Sequence, residues 1–201
     1  GQKVVRQSVR VEVDGVPLPI RPDLVYYLVN KPVGVVSTAS DPHGRATVVD
    51  LVPTDPRVYP VGRLDADSEG LMLLTNDGDL TNLITHPSHG VSKTYSVLIS
   101  GAPTAAQVRE LVTGVQLEDG PAAALSARLL DSSRGRALLE VTMGEGRKRE
   151  VRRMCDAIGF PVVQLFRTAI GPLTDPGLKS GEARTLTMGE VRSLYAAAAP
   201  S

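Results

Sequence analysis

The chain predicts an α+β fold organised on a mixed or antiparallel sheet. Three observations lead there. Apolar or alternating runs of strand length outnumber patterns of helical period. They do not alternate with helices in the regular rhythm of a parallel, doubly wound sheet, which argues against a Rossmann fold. With 201 residues, 42% of them hydrophobic, the chain is long enough for a substantial core in one large domain or two small ones.

Taken in order, residues 2–23 alternate, with Val9, Val11 and Val13 set against Arg10, Glu12 and Asp14. That period marks a half-exposed strand running into a turn at Asp14-Gly15. Leu24 to Val29 reads as a buried strand, broken by Asn30-Lys31-Pro32-Val33-Gly34 and resumed over Val35 to Thr38. Residues 39–45 are loop-forming, Val48 to Val52 forms a short helix ended by Pro53, and Leu71 to Leu74 is a core strand. Asn76-Asp77-Gly78 follows as a turn, because these residues tolerate left-handed backbone. Thr94 to Ser100 is a strand, and Thr104-Ala-Ala-Gln107 is a capping box opening a helix to about Thr113. Ala122 to Leu130 and Ala137 to Thr142 form an antiparallel pair across the Asp131-to-Gly135 turn. A helix opens at Gly146, with Val151, Met154, Cys155 and Ile158 on one face and Gly159 as its stop. Val162 to Arg167 is a strand, and Thr187-Met-Gly-Glu190 caps a last helix carrying Val191, Leu194 and Tyr195.

Composition excludes several classes. The formal net charge is zero, but its distribution is uneven. Residues 50–80 hold seven acids and two arginines, whereas 134–153 hold seven basic residues and three acids. Five Tyr, two Phe and no Trp are too few for a protein that grips single strands mainly by stacking bases. A single cysteine, Cys155, forms no internal disulfide and points to a reducing, cytoplasmic setting. No apolar run approaches membrane-spanning length. His43, His86 and His89 lack paired spacing and Cys155 sits on an apolar helix face, so no metal is expected. No Gly-x-Ser-x-Gly elbow and no phosphate-binding Gly-rich loop is present. Asp65 with Asp67 or Glu69 supplies paired carboxylates, but a glycosidase would also want aromatic platforms.

The stretch from Val61 to Leu80 carries the strongest signal. A loop with acids or hydroxyls at four of five positions, Asp65 to Glu69, is closed by Gly70 and fastened to the apolar strand. Carboxylates are thereby held at the rim of a core. The order Gly62-Arg63-Leu64-Asp65, then Ser68-Glu69-Gly70-Leu71 and Leu74-Thr75-Asn76-Asp77-Gly78, resembles the signature of RNA pseudouridine synthases of the RsuA type. Three further segments match that family in order: Asn30-Lys31-Pro32-x-Gly34, Lys93-Thr94-Tyr95, and Glu145-Gly146-Arg147-x-Arg149-Glu150-Val151-Arg152-Arg153-Met154. Val163-x-Leu165-x-Arg167, ending in Gly171-Pro172-Leu173, is similar to the segment that follows. Alone, Tyr95 reads as a core strand residue and Arg152 as a basic side chain lying along its helix. Their joint occurrence with Asp65 is what favours a site.

The resemblance implies a pseudouridine synthase catalytic fold, a mostly antiparallel mixed sheet flanked by helices and loops with the active-site cleft across it. It implies Asp65 as the catalytic carboxylate, Tyr95 as the aromatic residue of the site and Arg152 as its basic residue; a carboxylate that must stay ionised in a pocket further predicts Arg152 within salt-bridge reach of Asp65. Asn30 and Lys31 belong to the motif that supports the active-site loop and are expected, with Arg63 and Leu165, near the substrate. Arg147, Lys148, Arg149 and Arg153 form a basic cluster suited to phosphate, with lesser contributions from Arg45 and His43. The reaction changes no oxidation state and transfers no outside group, so no cofactor is needed. A carboxylate in a closed pocket loses solvation, and a neighbouring guanidinium offsets that loss. Attack at C6, attack at C1′ and proton abstraction from the ribose all remain open. The expected partner is ribosomal RNA, more specifically that of the large subunit, met by a monomer without any membrane. Members of the family usually carry an S4-type RNA-binding domain before the catalytic part. Residues 1–23 are therefore expected to be its tail and linker, and 24–201 the catalytic domain. Two other readings stand beside this one: a catalytically silent RNA-binding ribosome-assembly factor, and another carboxylate enzyme acting on a nucleoside or sugar.

Overall fold

A computed structural model describes residues 10–13, 16–19, 23–86 and 91–198. The expected Asp14-Gly15 turn and His89 lie outside them. Strands β1 (Arg10–Val13) and β2 (Val16–Pro19) pair antiparallel. Then come β3 (Tyr26–Lys31), a short 3₁₀ turn (Val48–Leu51), β4 (Tyr59–Val61), β5 (Glu69–Thr75) and helix α1 (Gly78–Thr85). Next are β6 (Lys93–Ser100), α2 (Ala105–Thr113), β7 (Val115–Leu117) and β8 (Gly120–Ala122). They are followed by β9 (Ser126–Ser133), β10 (Arg136–Met143), α3 (Glu150–Ala157) and β11 (Val162–Ile170). The chain closes with β12 (Leu173–Thr174), β13 (Ala183–Thr185) and α4 (Met188–Ala198).

The central sheet runs β13-β3-β5-β11-β6-β10-β9, with β4 added on β5 and β12 on β11. Among the described strands the β5–β11 pair alone is parallel. The α+β class with a mostly antiparallel mixed sheet is therefore what forms. Its middle strands are buried on both faces, which explains the unbroken apolar run of β5. Met72 and Leu74 face one core with Val29, Tyr95, Val97, Leu139 and α3 residues Val151, Met154 and Cys155. Leu71 and Leu73 face the other with Leu28, Leu80 and Ile84 of α1 and Val191 and Leu194 of α4. Cys155 is fully enclosed, and burial pushes its thiol up to about 12.

Both capping boxes form. Gln107 N donates to Thr104 Oγ1 at the start of α2, and Glu190 N to Thr187 Oγ1 at the start of α4. Four expectations need correction. Asn76-Asp77-Gly78 does more than turn: Asp77 caps α1, its Oδ1 accepting from Asp79 N and Leu80 N. Its other oxygen accepts from the hydroxyls of Tyr26 and Tyr195 at 2.7 and 2.6 Å, joining α4 to the sheet. Val35 to Thr38 does not resume as a strand. It gives one isolated bridge, Val36 to Thr47, because Gly34 (φ +91°) turns the chain and Ser37 is drawn onto Leu64. Helix α3 starts at Glu150 rather than Gly146, since Arg149 is left-handed (φ 50°). Ala122 belongs to the β7–β8 hairpin and not to β9.

Gly70 is required where β5 meets β11. Its φ of +122° is foreign to L side chains, and a Cβ there would land on the Arg167 backbone.

Candidate active site

The loop between β4 and β5, residues 62–68, carries Asp65, and segments distant in sequence hold its backbone. Ser37 Oγ donates to Leu64 O at 2.6 Å and accepts from Leu64 N at 3.0 Å. Gly34 N donates to Ala66 O at 2.7 Å. Arg152, from α3, donates through Nη2 to Asp67 O at 3.0 Å and to the buried Ser68 Oγ at 3.3 Å. Arg167, from β11, donates through Nη1 to Arg63 O at 3.4 Å and through Nε to Leu71 O at 2.7 Å. A buried carbonyl left without a partner costs about 1–3 kcal/mol, so these bonds favour one loop shape over its alternatives. Ser37 and the loop-clamping part of Arg167 were missed by sequence reasoning. Arg167 lay inside a matched segment, but nothing in its spacing told that it spans the loop.

Asn30 and Lys31, expected near the substrate, lie beneath the loop and do not line the cavity above it. Lys31 has no exposed surface, and its Nζ donates to Pro32 O and Val35 O at 2.8 and 2.9 Å. Asn30 Nδ2 donates to Leu178 O at 2.8 Å. They shape the turn whose Gly34 N–H reaches Ala66, as loop support rather than substrate contacts. Burial lowers the Lys31 amine to about 8, against the opposing pull of Glu69 and Asp67. An unfolded lysine titrates near 10.4. Between pH of about 8 and about 10 the unfolded chain therefore binds more protons, and the contribution of Lys31 to stability rises with pH. Below about 8 both states are protonated and the full cost of burying the charge applies. Urea midpoints should rise across that window in the wild type relative to Lys31→Met; a constant difference would contradict a buried, depressed amine.

Above the loop opens a cavity of about 340 Å³, within the range of small-ligand sites. Arg63, Leu64, Asp65 and Ser68 form one wall and residues 145–151 another, with Tyr95 and Leu165 between. Asp65 keeps 32% of its side chain exposed, and its Oδ2 lies 3.7 Å from Arg149 Nη1. The ion pair to Asp65 thus comes from Arg149, whereas the charge argument predicts it from Arg152. The reason is the late start of α3. The left-handed Arg149 sends its guanidinium across to the acidic loop, while Arg152, within the first helical turn, reaches the loop backbone and Asp67 Oδ2 at 3.5 Å. Arg149 also grips Asp67 with both terminal nitrogens at 3.0 Å, and this hydrogen-bonded pairing holds the Asp67 carboxyl below its usual range.

Tyr95 stands on β6 opposite Val141 and Arg167, its ring buried beside the core. Among the described residues nothing hydrogen-bonds its hydroxyl. The basic cluster is less available than its sequence suggests. Arg147 is matched by Glu150, Glu145 and Asp119, and Arg153 binds Asp119 with two nitrogens at 2.7 and 3.0 Å. These two arginines fasten the β7–β8 hairpin to α3, so phosphate would have to compete with carboxylates already in place. Lys148 is exposed and has no partner among the described residues. Arg45 is engaged by Asp41, at 2.6 Å.

Known proteins resemble this chain in sequence and in fold. The sequence profile of the family described as RNA pseudouridylate synthase matches residues 25–157, more than half the chain. The chain belongs to that family. An uncharacterized RNA pseudouridine synthase of Mycobacterium leprae is 45% identical to the enzyme over 189 residues, 92% of this chain and 74% of the relative. Ribosomal large subunit pseudouridine synthase B of Bacillus subtilis is 43% identical, covering 96% of this chain and 80% of the relative. A solved pseudouridylate synthase structure superposes on the enzyme with a TM-score of 0.76 at 32% identity, over 89% of this chain and 77% of that one. An archaeal box H/ACA Nop10–Cbf5 complex, at 18% identity and a TM-score of 0.59, shares the fold. As an RNA pseudouridine synthase the enzyme breaks the N1–C1′ bond of uridine, turns the base and joins C5 to C1′. N1 gains a proton and C5 loses one, so nothing enters or leaves overall. Among the described residues no helix is long and apolar enough to cross a membrane.

Proposed function

We propose that this pseudouridine synthase acts on a uridine of ribosomal RNA, specifically that of the large subunit, with Asp65 as its catalytic carboxylate. The observation that carries this reading is a partly exposed carboxylate on a clamped loop, facing a cavity that also holds a tyrosine whose hydroxyl has no partner among the described residues. A base flipped out of the RNA gives up a few kcal/mol of stacking and needs a surface to receive it. Tyr95 and Leu165 supply that surface. The Tyr95 hydroxyl is placed to accept or donate the proton at C5. The names of the Bacillus subtilis relative and of the Escherichia coli O157:H7 relative, 38% identical over 94% of this chain, support the large-subunit substrate. Arg149 supplies the positive charge beside Asp65, and Arg152 positions the loop backbone. The chain works as a monomer, and Arg63 and Lys148 meet the RNA at the cavity rim.

The test is to incubate the protein with large-subunit ribosomal RNA transcript and map pseudouridine by carbodiimide modification and primer extension. A new stop at a defined uridine is expected; an unmodified transcript would overturn the substrate assignment. Arg149→Met should lower the single-turnover rate about tenfold, because the carboxylate loses its ionic neighbour and Asp67 its clamp. Arg149→Lys should restore part of the loss. An Arg149→Met rate equal to wild type would return the role to another residue.

A further inference from the structure

A second cavity of about 260 Å³ adjoins the first and shares Arg63, Tyr95 and Arg147 with it. Lys93 and Arg167 also line it. Lys93 and Tyr95 are two residues apart on β6, so they stand on one face of the strand, about 7 Å apart. The cations differ sharply in their pairing. Arg147, Arg149 and Arg153 are each met by carboxylates, whereas Lys93 has no hydrogen-bond or ionic partner among the described residues. Arg167 is 4% exposed and its Nη2 is buried with no hydrogen-bond partner among the described residues. Among the described residues Glu145 is the one acid lining this space, and Arg147 Nη2 already holds it at 3.1 Å. Positive charge is therefore gathered in a recess without its counterion. Burial, and then the Arg167 charge, pull the Lys93 amine below its ordinary value. An anion entering the recess would supply a counterion to Lys93 and to Arg167, whose guanidinium is otherwise bonded only to backbone carbonyls.

We propose that the second cavity receives a backbone phosphodiester of the RNA adjoining the flipped uridine, with Lys93 as its direct contact. The proposal rests on the first cavity being the uridine site. A nucleotide turned out of the strand keeps a phosphate on each side of its sugar. A base lodged against Tyr95 brings one of them beside the same strand. A lysine ammonium is a compact point charge that suits phosphate without demanding a fixed fork geometry. Such a contact positions the RNA without reading its sequence.

The test uses a short, labelled single-stranded RNA with one central uridine, its affinity measured by anisotropy across a salt series. Lys93→Met should weaken binding about tenfold and flatten the plot of log affinity against log salt by about 0.7, the effect of one phosphate contact on a single strand. Lys93→Arg should recover most of both. Lys179→Met, on an exposed segment away from the cleft, should leave affinity and slope unchanged. Lys93→Met with affinity within twofold and an unchanged slope would overturn the proposal. Should Lys93→Met melt well below wild type, the decisive arm is wild-type protein on RNA with one neutral methylphosphonate beside the uridine. The same tenfold loss is expected on one side, and no loss on either side would overturn the proposal. Pseudouridine formation by the wild type is scored separately. Its absence would sink the uridine reading, while the salt series still decides the phosphate contact.

Discussion

Asp65→Asn should abolish pseudouridine formation to within measurement, a loss of about a thousandfold or more, because an amide is neither nucleophile nor base. Stability should hardly change. Among the described residues the Asp65 side chain makes a single ion pair, 3.7 Å long, with an Arg149 that is itself 41% exposed, and pairs of that kind contribute about 0–1 kcal/mol. The loop backbone is held by Ser37, Gly34, Arg152 and Arg167, none of which touches the Asp65 carboxylate through a hydrogen bond. Binding of RNA should persist as well, since the substitution preserves size and removes a negative charge. Single-turnover rates, thermal melts and anisotropy on the same preparation separate the three. Activity within tenfold of wild type would refute the assignment, and a melt lowered by more than a few degrees would refute the account of how the loop is held.

Gly70→Ala should be the most destabilising single change of a small residue in the loop-bearing strand. Two costs add at this position. The backbone must hold φ of +122° with a Cβ attached, and the Cβ overlaps the Arg167 main chain, which cannot step aside because it is paired with Tyr95 in β6. Strain of the first kind costs about 1–3 kcal/mol and overpacking of the second about 1–3. For a chain of this length each kcal/mol lowers the melting temperature by roughly 2–4 °C, so a drop of about 10 °C is expected. The damage should also reach chemistry, because from this crossing Arg167 ties Arg63 of the Asp65 loop to Leu71 of β5. A variant that melts within 2 °C of wild type would show that β5 and β11 can part here without penalty.

Much of the scaffold was legible because its signals are local. Thr104 with Gln107 and Thr187 with Glu190 announce helices α2 and α4 within four residues each, and both caps form. Leu71 to Leu74 announces a strand buried on both sides. Helix α1 was missed although its cue was present. Asp77 precedes Leu80, Leu83 and Ile84 at helical spacing, and the neighbouring Asn and Gly suggested a turn that the capping aspartate in fact begins. The short strands β4, β12 and β13 carry too few residues to show a period, and they exist because the sheet offers them an edge.

The sequence by itself determined the family, the α+β class and the presence of Asp65, Tyr95 and Leu165 at one cavity, since ordered motifs over most of the chain record them residue by residue. Tertiary structure alone decided which cation faces which oxygen. The motif singles out Arg152 beside Asp65 and leaves Arg147, Arg149 and Arg153 as an undivided basic cluster. In the fold, Asp119 and Glu150 claim two of them, the loop backbone claims Arg152, and a left-handed residue at the start of α3 turns Arg149 toward Asp65. The burial of Lys31 and the unpaired state of Lys93 were equally out of reach. Most of these pairings depend on distances between segments 34 to 85 residues apart, and no local pattern in the chain encodes those distances.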